Sequence, residues 1–189
     1  MNEQQGRIEL VSLERSVQLT DELGIPGILA DRNIFRLLLR RPTLAKAVNE
    51  LLYSLLYGAE LDDRLRELVI MRIAWVSGSD YEWTQHYGVA VRAFGCTEDD
   101  LAATRDWQNA ACFGAREKAV LAATDETLAT GKISDPTWRQ CRQELGSEEA
   151  CLDLVASIGA WTMISHIARS TELPLETGTS SWAPDGVAP

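Results

Sequence analysis

At 189 residues, 46% of them apolar and 24% charged, the chain has the size and balance of one globular domain. Its 28 acidic side chains outnumber 18 basic ones for a formal charge of −10, which disfavours a nucleic-acid backbone or an anionic membrane as partner. No run of eighteen apolar residues occurs, and Met1 to Glu14 is polar and acidic, against the expectation for a membrane span or a secretory signal. Residues 1–31 read as an N-terminal arm with one weakly amphipathic helix between Gly6 and Leu23, broken by Gly24-Ile25-Pro26-Gly27. A short helix from Asn33 to Leu39 stops at Arg41-Pro42, because the residue before proline is pushed out of the helical region. Pro42 then suits the first turn of a helix running to about Tyr57.

Leu61, Leu65, Leu68, Val69, Ile73 and Val76 recur at three- and four-residue steps, the mark of one buried face on a central helix that Gly78 ends. Ser79 or Asp80 caps the next helix, which carries Trp83, Tyr87, Ala90 and Phe94 and stops at Gly95. Thr97-Glu98-Asp99-Asp100 reads as the cap and acidic first turn of a short helix to about Ala103. Further helices are predicted from Ala115 to Ala129, closed by Gly131, and from Ser134-Asp135-Pro136 to Glu144. Ser147-Glu148-Glu149 opens a long helix whose apolar positions, Leu152, Val155, Ile158 and Trp161 among them, run nearly all round, so it is predicted to be buried on most sides. No alternating pattern competes with these helices, and the fold class is all-α. The helical domain spans residues 32–172, and the proline-rich residues 173–189 read as a tail that wraps a neighbour or is partly disordered.

Cys96, Cys112, Cys141 and Cys151 lie 16, 29 and 10 residues apart, with no CxxC pair and no adjacent histidine to complete a zinc set. They read as buried thiols in a reducing cytoplasm, and most of the six tryptophans as core or subunit interface. Histidine chemistry reduces to His86 and His166. Ser79, Glu82 and His86 fall at i, i+3 and i+7 on one helix, which puts a hydroxyl, a carboxylate and an imidazole on one stripe suited to proton transfer. Glu67 lies 19 residues before His86; across an antiparallel hairpin at Ser77-Gly78-Ser79, a rise of about 1.5 Å per residue lets the two side chains meet. The competing reading is an exposed Glu82–His86 pair, with Glu67 bound to Arg64 or Arg72. His166, on the long helix, reads first as a core or interface histidine, and Trp83 and Trp161 as core or pocket wall.

The segment L-x-x-R-x-R-E-L-x-I-x-R-x-A followed by Y-E-W-x-x-H-x-x-x-A-x-x-x-G-x-T-x-x-x-L, over residues 61–103, resembles the carboxymuconolactone decarboxylase family. E-K-A-V-L-A-A-T-D-E and S-D-P-T-W resemble its second half, so the likeness spans most of residues 33–175. The resemblance implies an alkylhydroperoxidase D-like (AhpD-like) helical bundle that assembles as a homotrimer or homohexamer. In the family's peroxidase branch, a C-x-x-C-x-x-x-H arrangement does redox chemistry with an upstream glutamate. Laid on His86, that pattern puts the glutamate on Glu67 and the cysteines on Ser79 and Glu82, so the thiol pair is absent and thiol peroxidase chemistry is disfavoured.

The decarboxylase branch resembles E-x-x-x-H, matched by Glu82 and His86, and its members work without metal or organic cofactor. The resemblance therefore implies a lyase of the 4-carboxymuconolactone decarboxylase type, acting on a small acidic or lactone substrate in aromatic degradation, with His86, Glu82 and Glu67 catalytic. Arg72 is the preferred cation for a substrate carboxylate, and Ser79, Trp83 and His166 complete the candidate binding set. A non-catalytic oligomeric binding protein is the remaining alternative.

Overall fold

The turn that sets the architecture is Ser77-Gly78-Ser79. Gly78 takes a left-handed conformation (φ 65°), which an L side chain adopts only with strain, and ends one helix so that the next folds back along it. These two helices are α4 (Asp63–Ser77) and α5 (Asp80–Ala93) of a computed structural model that describes residues 6–189; residues 1–5 of the predicted arm lie outside the described residues. Before them come α1 (Leu13–Leu23), α2 (Asn33–Leu38) and α3 (Pro42–Tyr57), and after them α6 (Glu98–Ala103), α7 (Ala115–Thr130), α8 (Asp135–Leu145) and α9 (Glu148–Ser170). The described residues contain helices and turns with no strand. The ends carry the expected chemistry: Asp62 accepts from the Leu65 amide to start α4, Thr97 and Asp100 form a reciprocal capping box on α6, and Ser147 accepts from the Ala150 amide to start α9.

α4 runs through the middle of the molecule, packed against α5, α7 and α9. Leu68, Val69, Ile70, Met71, Ile73 and Ala74 are all fully buried, as are Arg66 and Glu67, so this helix is buried nearly all round. The sequence had assigned that character to α9 and a single buried face to α4, and the structure reverses the two. α4 is enclosed by three helices, whereas α9 covers it from one side and turns Leu152 (66% exposed) and Val155 (40% exposed) outward. α9 is also long and apolar enough to cross a membrane by length and composition, but half of that stretch is buried in the bundle, where it serves as a core helix. A second cluster, with Leu19, Phe35, Leu38 and Val48, closes α1–α3 over Ile164 of α9.

Residues 173–189 fold back on their own chain. Glu176 accepts from the Tyr81 hydroxyl (2.7 Å) and the Asn33 amide (2.8 Å). Trp182 packs against Trp75 and Trp83, with ring centroids 5.9 and 6.0 Å away, while the Trp83 indole donates to the Ala183 carbonyl at 2.6 Å. Asp185 takes both amino groups of Arg105 at 2.8 and 2.9 Å, and that guanidinium lies over the rings of Trp75 and Trp83.

Candidate functional site

Two helices reach α5 from opposite sides where Glu82 and His86 stand one turn apart. From α4, Glu67 places Oε2 2.9 Å from His86 Nδ1; from α9, Trp161 donates its indole N–H to His86 Nε2 at 3.1 Å. One turn further along α9, the Ser165 hydroxyl is hydrogen-bonded to Glu82 Oε2. The i, i+4 pair of α5 thus meets an i, i+4 pair of α9 running the other way, His86 with Trp161 and Glu82 with Ser165. The helix pair is held by α4·α5 and α4·α9 packing around the Gly78 turn.

Glu67, Glu82 and Ser165 are buried, while the His86 side chain keeps 19% of its surface open. An indole nitrogen only donates, so His86 Nε2 is the acceptor and the proton of the neutral ring sits on Nδ1, facing Glu67. The second Glu67 oxygen, Oε1, lies 3.6 Å from an amino group of the buried Arg66, whose charge backs this carboxylate. Glu82 has no such support. Burial pushes its carboxyl well above the usual range and the nearby Glu67 adds to the shift, against the opposing hydrogen bond of Ser165. The Glu82 carboxyl thus favours its neutral form more than an exposed glutamate does, and its Oε1 has no protein partner. The two carboxyls of the site differ in company: Glu67 meets an imidazole and a guanidinium, Glu82 a single hydroxyl.

The remaining sequence candidates lie elsewhere. Arg72 grips Asp125 of α7 through two bonds of 2.6 and 2.8 Å and donates to the Thr104 and Arg105 carbonyls, so its guanidinium is fully engaged as a brace. Arg64 is likewise held by Asp100 and Glu117. His166 is exposed on the outer side of α9. Trp83 is buried, but its polar contact goes to the tail and its ring to Trp75, Tyr87 and Trp182. Ser79 is buried at the start of α5, with its hydroxyl unpartnered. Trp161, read from sequence only as core or wall, and Ser165 and Arg66 are the contributors that spacing along one helix did not reveal; the four-residue step from Trp161 to Ser165 was the available signal.

Cys96, Cys141 and Cys151 are buried as expected, and burial pushes the Cys96 and Cys141 thiols up to about 12, far from the thiolate that redox attack needs; Cys112, also read as buried, is exposed instead, in the loop before α7. Among the described residues, no three His, Cys, Asp or Glu side chains converge as metal ligands would.

Residues 42–126 match the model of the carboxymuconolactone decarboxylase family. No curated protein sequence matches the chain. Among solved structures, an uncharacterized peroxidase-related protein with an alkylhydroperoxidase AhpD core from Ralstonia eutropha JMP134 superposes with a TM-score of 0.74 at 16% identity, over 97% of this chain and 98% of that one. The debrominase Bmp8 gives a TM-score of 0.68 at 17% identity, over 87% and 86%. A protein of unknown function from Agrobacterium tumefaciens gives 0.66 at 22% identity, over 72% and 92%. At such identities the likeness carries the fold.

Proposed function

From a chain whose residues 42–126 are those of the carboxymuconolactone decarboxylase family, set in an AhpD-like bundle without the CxxC pair, we propose a cofactor-free lyase that acts on a small lactone or carboxylic acid by general acid/base proton transfer. The observation that carries this reading is the buried set itself: a histidine tautomer held between Glu67 and Trp161, one helical turn from Glu82, whose carboxyl burial pushes well above the usual range. For γ-carboxymuconolactone the steps are as follows. The bond from ring carbon to carboxylate breaks, CO2 leaves, and the electron pair enters the conjugated lactone. The Glu82 O–H bond then breaks to deliver its proton to carbon, and the resulting carboxylate is reprotonated from solvent by way of His86 Nε2. Arg64, Arg66 and Arg72 all face carboxylates of the protein, so a substrate carboxyl is received by the Glu82 hydroxyl rather than by a free cation on α4.

The test is CO2 release and ultraviolet loss of γ-carboxymuconolactone, with His86→Ala and Glu82→Gln beside the unaltered protein. Turnover that falls at least about 100-fold in His86→Ala is expected, the scale of a lost acid/base group. No CO2 from the unaltered protein overturns the substrate, and full turnover by His86→Ala overturns the site. The same reading places the protein in the cytoplasm as a homotrimer or homohexamer. The exposed apolar side chains Ile28, Tyr53 and Tyr57, which line a surface groove with Leu52 and Leu56 of α3, and Leu152 on α9, support assembly, which sedimentation equilibrium measures.

A further inference from the structure

Trp161 is 2% exposed and spends its single polar hydrogen on the nitrogen that the acid/base reading makes reactive. Its ring stands edge-on to the imidazole, centroids 6.0 Å apart at 78°, so the two planes are held as well as the one bond. A neutral imidazole has one donor and one acceptor, and the choice between its tautomers follows from what its two nitrogens meet. Here Nε2 meets a group that can only donate, and Nδ1 meets a carboxylate. Glu67 alone leaves the ring free to rotate about its bond to that oxygen; the indole removes this freedom from the opposite side.

We propose that Trp161 is a positioning residue of the reaction at His86: its indole N–H keeps Nε2 unprotonated, aims it, and yields it only to a group that brings a hydrogen of its own, whether substrate or the solvent that resupplies Glu82. This rests on the acid/base reading of the same site, and it adds a requirement on the substrate. The group that displaces the indole must carry an acidic hydrogen, on oxygen or on a carbon next to a carbonyl. A substrate offering only acceptors at that point would leave Nε2 bonded to Trp161.

The experiment uses the full chain with 15N-labelled histidine, with His166→Asn to leave His86 as the only signal. It compares Trp161 with Trp161→Phe and with Trp161→β-(3-benzothienyl)alanine, which keeps the bicyclic shape and replaces the N–H by sulfur. With Trp161 present, the imidazole resonances are expected to show one tautomer, Nδ1 protonated and Nε2 hydrogen-bonded. In both variants Nε2 moves to its unbonded position and the second tautomer appears, and with an active substrate kcat falls at least about tenfold while KM holds, because control of a catalytic tautomer is lost. A wild-type spectrum with Nε2 protonated, or a benzothienyl variant with unchanged His86 signals, overturns the proposal. The spectra need no substrate, so absence of decarboxylase turnover sinks the function and leaves this inference to be judged by the tautomer. The shape-preserving variant covers the case in which Trp161→Phe does not fold.

Discussion

Glu67 and Glu82 are the same residue type in neighbouring buried places, and what separates them is their company. Arg66 and the His86 N–H face Glu67, whereas Glu82 has one serine hydroxyl and, among the described residues, no cation paired with it. Because the Glu82 carboxyl holds its proton more tightly folded than unfolded, the stability it contributes is complete below the ordinary value of 4.5 and is lost as pH rises toward its raised folded value. Glu82→Gln is neutral at every pH and escapes that loss. Thermal melts from acid to alkaline buffer should therefore show the variant gaining on the parent as pH rises; parallel curves would mean that Glu82 is ionised in the fold. At this scale the sequence revealed the partners within the α4–α5 hairpin, since counting residues from Gly78 brings Glu67 opposite His86. Trp161 and Ser165 stand 75 and 83 positions from their partners, and nothing in local spacing fixes the register between helices so far apart in the chain.

Between elements, the polar side chains of α4 sort into two jobs. Glu67 faces the site, while Arg64 and Arg72 tie α4 to α6 and α7 through Asp100, Glu117 and Asp125. Arg72→Ala removes the cation from a largely buried pair and leaves Asp125 facing only the Trp107 indole; about 3 kcal/mol of stability should be lost in urea unfolding. Replacing both partners, as Arg72→Met with Asp125→Leu, should recover most of it, and a double variant as unstable as the single one would show that the carbonyl contacts of Arg72 matter more. Helix boundaries were legible because caps and breakers are local chemistry. Burial was not: α4 and α9 both read as apolar, and only which of their faces the neighbouring helices cover decides which one is enclosed.

For the whole molecule, the tail is the part whose behaviour sequence described least well. Proline, glycine and serine content signals a segment without regular structure, but not whether its one large ring finds a socket. Trp182 finds one between Trp75 and Trp83, and Trp182→Ala should cost about 3 kcal/mol and shift the tryptophan fluorescence of the native state. An unchanged melting temperature would mean that the tail only rests on the surface. The contacts it makes join residues about a hundred positions apart, Asp80 with the Trp182 amide and the Trp83 indole with the Ala183 carbonyl. During synthesis, then, the aromatic side of α5 waits, uncovered, while roughly a hundred further residues are added at about 5–20 per second. For those seconds the nascent chain displays a tryptophan-lined surface that Trp182 and Ala183 come to cover, which makes this surface a point at which a chaperone holding the unfinished protein would keep it from aggregating.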